Sequence, residues 1–276
     1  MAPIPDLTDR AALTRNRTRA EAGATGFFLH DEAIAEIKER LAEVNRSFTA
    51  VAIVTGFPNK WANAFPDARI VADDEGLALQ PGQHDLVIHG LSLHWAADPV
   101  GQLVQCRRAL APDGLMIAVL FGGQTLAELR AVLAGAEAAE TGGLSPRVLP
   151  MAELRDLGGL LQRAGFALPV ADTRSLAVSY ADLPALMQDL RAMGEGNALA
   201  ARLRRPTRRG VFERAGVLYR QSFPADGGRI AASFDLIFLT GWAPADSQPR
   251  ALRPGSAAQK LADALGVAEQ PLPRHG

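Results

Sequence analysis

HDLVIHGLSLHWAADPVGQLVQCRRALAPDGLMIAVLFGGQTLAELR, running from His84 to Arg130, decides the fold. Two β-rich apolar runs, Leu86–Gly90 and Leu115–Phe121, are joined by a helical pattern over Val100–Leu110, and each run ends in a polar loop. The runs are nearly continuous rather than alternating, as strands covered on both faces are. Working backwards, similar runs recur at Val51–Thr55 and Ala68–Ala72. Before them, Thr8 is placed to cap a helix through Arg19, and Asp31 another in which Ile34, Ile37, Leu41 and Val44 recur at helical spacing. Working forwards, helical patterns cover Thr125–Glu140 and Met151–Ala164. A strand candidate at Ser175–Tyr180, a helical stretch from Leu183 to Phe223 and a strand at Phe234–Thr240 follow. Alternating strands and helices imply right-handed crossovers and a mainly parallel sheet, with the two late strands closing one edge. Gly114 after Ala-Pro-Asp and Gly165 after the Met151–Ala164 helix are read as turn glycines.

At 276 residues and 48% hydrophobic, the chain can bury a full core. Lys and Arg number 29 against 30 Asp and Glu, so no global field draws it to nucleic acid or to an anionic membrane. Cys106, the single cysteine, excludes an intrachain disulfide and suits a reducing, cytoplasmic setting. No apolar run approaches the ~18–20 residues of a spanning helix, and no secretory signal is read in the first residues. Arg10, Arg15, Arg17 and Arg19 could suggest a transit peptide, but Asp6, Asp9 and Glu21 interrupt them, and a solvated helix is expected. Arg202, Arg204, Arg205, Arg208 and Arg209 form either a solvated loop or an anionic docking patch.

In an open parallel sheet, ligands bind beyond the carboxyl ends of the strands, which selects the loops after Gly56, Asp73, Ser92 and Phe121. A nucleotide-binding first loop carries further glycines, yet Gly56 is followed by Phe57, Pro58 and Asn59. Asp73, Asp74 and Glu75 are either a solvated turn or acceptors for ribose hydroxyls and an adenine amine. Ser92, His94 and Trp95 stand just beyond a buried strand, where a His-Trp pair suits a binding site. His89, inside that strand, is read as a satisfied core residue. Phe121 is a candidate apolar wall, and Gly122 and Gly123 are candidates to admit a substrate chain. Thr125 is either an N-cap or part of that pocket. Trp242, in the irregular tail Gly241 to Ala257, is too large to stay in water without a reason and is a candidate for the substrate pocket. No HExxH pattern, phosphate loop or Ser-His-Asp order is present.

These residues resemble the class I S-adenosylmethionine-dependent methyltransferases. The likeness is to the branch of the biotin-pathway malonyl-carrier-protein methyltransferase and the mitochondrial complex I assembly factor linked to arginine hydroxylation. TDRAALTRNRTRA near the start, the central block from Asp85 to Arg130, GGLSPRV at Gly142–Val148 and GWAPADSQPRALRPGSA near the end carry the resemblance, which spans most of the chain. It implies a Rossmann-like α/β sheet, mainly parallel with a late antiparallel strand, shortened near the second strand and carrying a helical insertion before the last. It divides the chain into N-terminal helices covering the site (1–47), core (48–180), insertion (181–229), last strand and Gly-Trp tail (230–257) and C-terminal tail (258–276).

The resemblance also implies S-adenosylmethionine as cofactor. Gly56 matches the loop that holds its methionine part, Asp73 or Asp74 the adenine-side acid, and Leu91 to Trp95, with Ser92, the loop bordering the methyl group. His94 becomes the candidate base or orienting group, with Trp95 and Phe121 shaping the pocket. The implied partner is a protein substrate or assembly partner such as a respiratory complex I subunit, and no metal is expected, since no two-His-one-carboxylate set stands out. Two departures set expectations of their own. TGFPNKW replaces the glycine-rich loop, and the Gly56–Asp85 interval is about twenty residues too short for the usual second strand, helix and third strand. On that alignment the ribose-binding acid has no counterpart. The expectation is a methyltransferase-like protein with a degenerate cofactor loop. The alternatives are a catalytically inactive scaffold on the same fold and an arginine hydroxylase.

Overall fold

A computed structural model describes residues 7–23 and 25–248. Helices α1 (Arg10–Gly23) and α2 (Phe28–Glu43) precede strand β1 (Val51–Thr55), helix α3 (Pro58–Ala64), β2 (Arg69–Val71) and β3 (His84–Gly90). A short 3-10 turn, Leu93–Trp95, then leads to α4 (Pro99–Ala109), β4 (Leu110–Gly122), α5 (Ala127–Thr141), α6 (Leu154–Ala164) and β5 (Ala167–Tyr180). Helices α7 (Leu183–Ala192) and α8 (Arg209–Ser222) separate β5 from β6 (Pro224–Ala225) and the long β7 (Arg229–Trp242).

The strands order as β2-β1-β3-β4-β7-β5, with β6 on β7. β2, β1, β3 and β4 are parallel, while β7 runs antiparallel to both β4 and β5. This is the mainly parallel sheet with late antiparallel strands that the sequence implies. Alternate residues of each central strand enter opposite cores. Ile53, Ile88, Ile117 and Phe238 face α2, α5, α7 and α8, while Val54, Val87, Ala118 and Leu239 face α4 and α6.

The shortening falls where the sequence places it. Among the described residues no helix separates β2 from β3; the connection is irregular and packs Leu77 and Leu79 on the α4 side. α4 ties it down: Gln102 Nε2 donates to the carbonyls of Asp73 (3.3 Å) and Asp74 (3.1 Å), and Gln105 Nε2 to that of Glu75 (2.8 Å).

Several local expectations need correction. FPNKW is not an open loop but the start of α3, because Pro58 at the first turn has the right φ and its missing N–H costs nothing there. Asp9, not Thr8, caps α1 by accepting from the Ala12 N–H at 3.0 Å; Thr8 instead bridges to Leu199 and donates to the Trp95 carbonyl. The stretch from Leu183 to Phe223 is two helices, since Gly194 takes φ +82° and begins an irregular, arginine-rich segment. In the turn before the Leu115 run the left-handed residue is Asp113, whereas Gly165 does close α6 at φ +81°. Residues to Pro244 form one unit and those from Ala245 another. In the second, the Ala245 N–H donates to Gln248 Oε1. The remainder of the Gly241–Ala257 tail and the 258–276 tail lie outside the described residues.

Candidate functional site

The strand order reverses at β1, with β2 on one side and β3 on the other, so the crevice opens beyond Thr55 and Gly90. Both glycines there are approached closely by side chains of this chain. A Cβ on Gly56 would lie 2.2 Å from the Arg17 guanidinium carbon, and one on Gly90 would lie 2.5 Å from the Trp61 indole. Arg17 reaches in from α1, and its Nη1 donates to both oxygens of Asp73, at 2.8 and 2.9 Å. Arg10 adds a longer contact to Asp73 at 3.4 Å and one to Asp74 at 3.5 Å. Burial pushes the Asp73 carboxyl up, but the two guanidiniums outweigh it and hold the acid below the ordinary range. Nε and Nη2 of Arg17 are buried without a protein partner.

Trp61 comes from α3 and is fully buried, its Nε1 donating to His30 Nδ1 at 3.2 Å. Burial lowers the His30 pKa to about 3, so the ring is neutral and free to accept. Phe57, also fully buried, packs edge-on against His30 and Phe27. His89 sits in the core as expected: Nε2 pairs with Gln102 Oε1 at 2.8 Å, and burial lowers its pKa to about 4. Ser92 Oγ lies 3.5 Å from His89 Nδ1, and Leu91 turns the chain at φ +46° with its side chain wholly buried. Cys106 is buried, and desolvation lifts its thiol to about 12, which leaves it inert.

Beside this packed crevice lies a cavity of about 260 Å³, walled by Phe121, Leu129, Met151, Leu190, Met193 and Phe234. Trp95, Thr125 and Glu195 also line it. Glu195 Oε2 accepts from Trp95 Nε1 at 2.8 Å and lies 3.4 Å from His94 Nε2, while Oε1 is buried with no protein partner. Burial raises the Glu195 pKa, yet the charges of His94 and Arg17 prevail and hold it below the usual range. His94 stacks edge-on against Phe121, with ring centroids 4.9 Å apart, and its Nδ1 is likewise unpartnered. Two cations border the cavity. Arg147 is spent on Glu137 and Thr207, and Arg191 is exposed at the rim.

His94, Trp95, Phe121 and Thr125 are thus brought together, while Gly56, Asp73, Leu91 and Ser92 gather at the adjoining crevice and Asp74 stays at its exposed edge. Three expectations differ. Gly122 and Gly123 do not line the cavity: they let β7 approach, with Ile237 packed on Gly122 and Asp235 Oδ2 on Gly123 at φ +53°. The Thr125 hydroxyl does not cap α5, whose cap is Leu126; it donates to the Gly122 carbonyl and accepts from the Asp235 N–H. Trp242 pairs with Leu115 at the far end of β4 from Phe121, because β7 is antiparallel, so it stands away from the cavity and under Arg46. Glu195, Arg17 and Trp61 carry the site in ways that a lone acid in an irregular segment, or an arginine on a polar-looking helix, does not advertise.

An adenosyl cofactor does not fit the crevice as these residues are placed. The backbone approach at Gly56 is taken by Arg17, that at Gly90 by Trp61, and the nearest strand-end acid is paired with Arg17. Among the described residues no group of three His, Cys, Asp or Glu side chains could hold a metal ion, and no helix is long and apolar enough to cross a membrane.

Residues 30–118 match the methyltransferase domain family. Over 231 residues the chain is 34% identical to the mitochondrial arginine-hydroxylase NDUFAF5 of Danio rerio, covering 83% of this chain and 72% of that protein. It is 39% identical over 199 residues to the Mus musculus counterpart, covering 72% of this chain and 58% of that one. A malonyl-[acyl-carrier protein] O-methyltransferase of Laribacter hongkongensis is 34% identical over 188 residues, covering 68% of this chain and 61% of that one. A Bacillus halodurans putative methyltransferase structure overlays with a TM-score of 0.48 at 15% identity, over 77% of this chain and 99% of that one, too loosely to bear on function.

Proposed function

This chain belongs to the class I S-adenosylmethionine-dependent methyltransferase family, in the branch of the NDUFAF5 arginine hydroxylases and the malonyl-carrier-protein methyltransferases, and from that premise we propose that it recognises an arginine side chain of a protein partner. The recognition site is the cavity between Trp95, Phe121 and Glu195.

One observation carries the reading: Glu195 lines the cavity together with Phe121, Met193 and Phe234, and one of its buried carboxylate oxygens has no protein partner. A buried anion short of a donor favours a guest that brings one, and a guanidinium on a three-methylene stem matches both the acceptor and the apolar walls. The volume equals about eight or nine waters, enough for one long side chain. Trp95 and His94 hold the other oxygen. Arg191, exposed and also lining the cavity, repels a bare arginine and favours a partner that surrounds its arginine with acids. By resemblance to the complex I assembly factor, that partner is a respiratory complex I subunit.

Short peptides containing arginine, or its neutral isostere citrulline, test this by calorimetry. A charge-assisted hydrogen bond contributes roughly 1.5–3 kcal/mol, so the arginine peptide should bind about ten- to a hundredfold more tightly. Glu195→Gln should erase that preference while leaving the fold intact by circular dichroism. Equal affinity for the two peptides would sink the proposal.

A further inference from the structure

The cleft at the strand-order reversal is where an open α/β sheet takes its nucleotide. Here the two glycines that would let a ligand approach the backbone are each occupied by a side chain from a different element. Arg17 of α1 lies on Gly56 and Trp61 of α3 on Gly90. Phe57, just before α3, adds to this packing: it is wholly buried, with its ring 2.6 Å from where a Cβ on Gly194 would lie. The strand-end acid is spent as well, since both Asp73 oxygens accept from Arg17 Nη1.

We infer that this chain has closed its nucleoside crevice with its own side chains, Arg17 supplying the polar pairing and Trp61 the apolar volume, and that it binds no adenosyl nucleoside. The inference is independent of the arginine-recognition reading, because the cavity beside Glu195 is walled by other residues. Arg17 alone is a long side chain that could swing aside. Doing so would leave buried Asp73 with Arg10 alone, which would weaken any ligand by about thirty- to a thousandfold. Trp61 cannot swing: its indole is bonded to His30 and stacked on Phe65 at 6.3 Å. Nε and Nη2 of Arg17 lack protein partners, so a ligand acceptor such as a carboxylate would reward them. S-adenosylhomocysteine carries such a group and adenosine does not.

Titration of the full chain with S-adenosylhomocysteine and with adenosine decides the matter. The wild type should give no saturable heat with either up to about 1 mM. Trp61→Ala clears Gly90 and should gain affinity for at least one of them by about tenfold or more. Should that variant not fold, Trp61→Leu, which keeps apolar volume in the core, is read in its place. Micromolar binding by the wild type overturns the inference. So does a folded variant that stays silent, because the crevice would then be closed by something other than these side chains. Micromolar binding of S-adenosylhomocysteine without adenosine would overturn it too, and would assign Arg17 to the ligand's carboxylate.

Discussion

Arg17→Met tests the buried pair on which the N-terminal helix is anchored. Arg17 and Asp73 side chains are 7% and 6% exposed, and two hydrogen bonds of 2.8 and 2.9 Å join them. Removing one partner of such a pair costs about 3–5 kcal/mol, because the remaining charge is stranded. Arg10, a third exposed and 3.4 Å away, offsets part of that, so a loss of about 2–4 kcal/mol is expected. The pH dependence has a definite sign. In the wild type Asp73 is held below its ordinary pKa, so its contribution is present above about pH 4 and is lost as pH falls through the folded value. In Arg17→Met only Arg10 still opposes burial, so that pKa rises relative to the wild type, and the penalty is largest at pH 7 and shrinks as the carboxyl takes up a proton. Urea unfolding followed by circular dichroism at pH 7, 5.5 and 4.5 measures both effects. Arg17→Met with Asp73→Leu removes the stranded charge and should return to within about 1 kcal/mol of wild type. A loss under 1 kcal/mol, a loss that ignores pH, or one as large in the Asp73→Leu background would refute the reasoning.

Other consequences are open to the same methods. Glu137, buried on α5, accepts from Arg147 and Ser145, and its pKa falls to about 2, with the Arg147 hydrogen bond the main cause and burial opposing it. Glu137→Gln should therefore lower stability by roughly 1.5–3 kcal/mol above pH 5, with the gap to wild type closing between about pH 4 and 2 in thermal melts. Gly123 has a left-handed φ of +53° and Asp235 Oδ2 2.4 Å from where a Cβ would sit, so Gly123→Ala should destabilise by about 1–3 kcal/mol. Gly159 lies in α6 with nothing within 4 Å, and Gly159→Ala should stabilise by about 0.5–1 kcal/mol; a reversed order of melting points would contradict both assignments.

The central strands are legible because burial on both faces demands nearly continuous apolar residues, and Leu86–Gly90 and Leu115–Phe121 supply them with His89 as the one polar exception. β5 is longer than its apolar trace: as an edge strand it leaves much of Ala167–Ser179 exposed, and polar residues there break the run. α3 is too short, at seven residues, to show a period, and only Pro58 hints at it. The His94–Trp95–Phe121 side of the cavity follows from the rule that ligands gather at strand ends. Its other side does not, because Glu195 arrives from the segment after α7, about a hundred residues later, and nothing local marks one acid as buried. The arginines of α1 read as a solvated face, yet Arg17 is interior. The arginine-rich stretch is partly internal too, since Arg202 and Arg204 both reach Asp9, at 2.9 and 3.0 Å.

The place of β7 in the sheet has a consequence for biogenesis. Among the described residues the strand latest in the chain is not at the rim; it is inserted between β4 and β5, pairing with Leu115–Gly122 on one side and Ala167–Tyr180 on the other. Until Arg229–Trp242 leaves the ribosome, β4 carries an unpaired, strongly apolar margin that any other β-segment can capture. The nascent polypeptide therefore has to be shielded for more than a hundred residues of synthesis, and a truncation ahead of Arg229 should yield aggregates, not a smaller soluble protein.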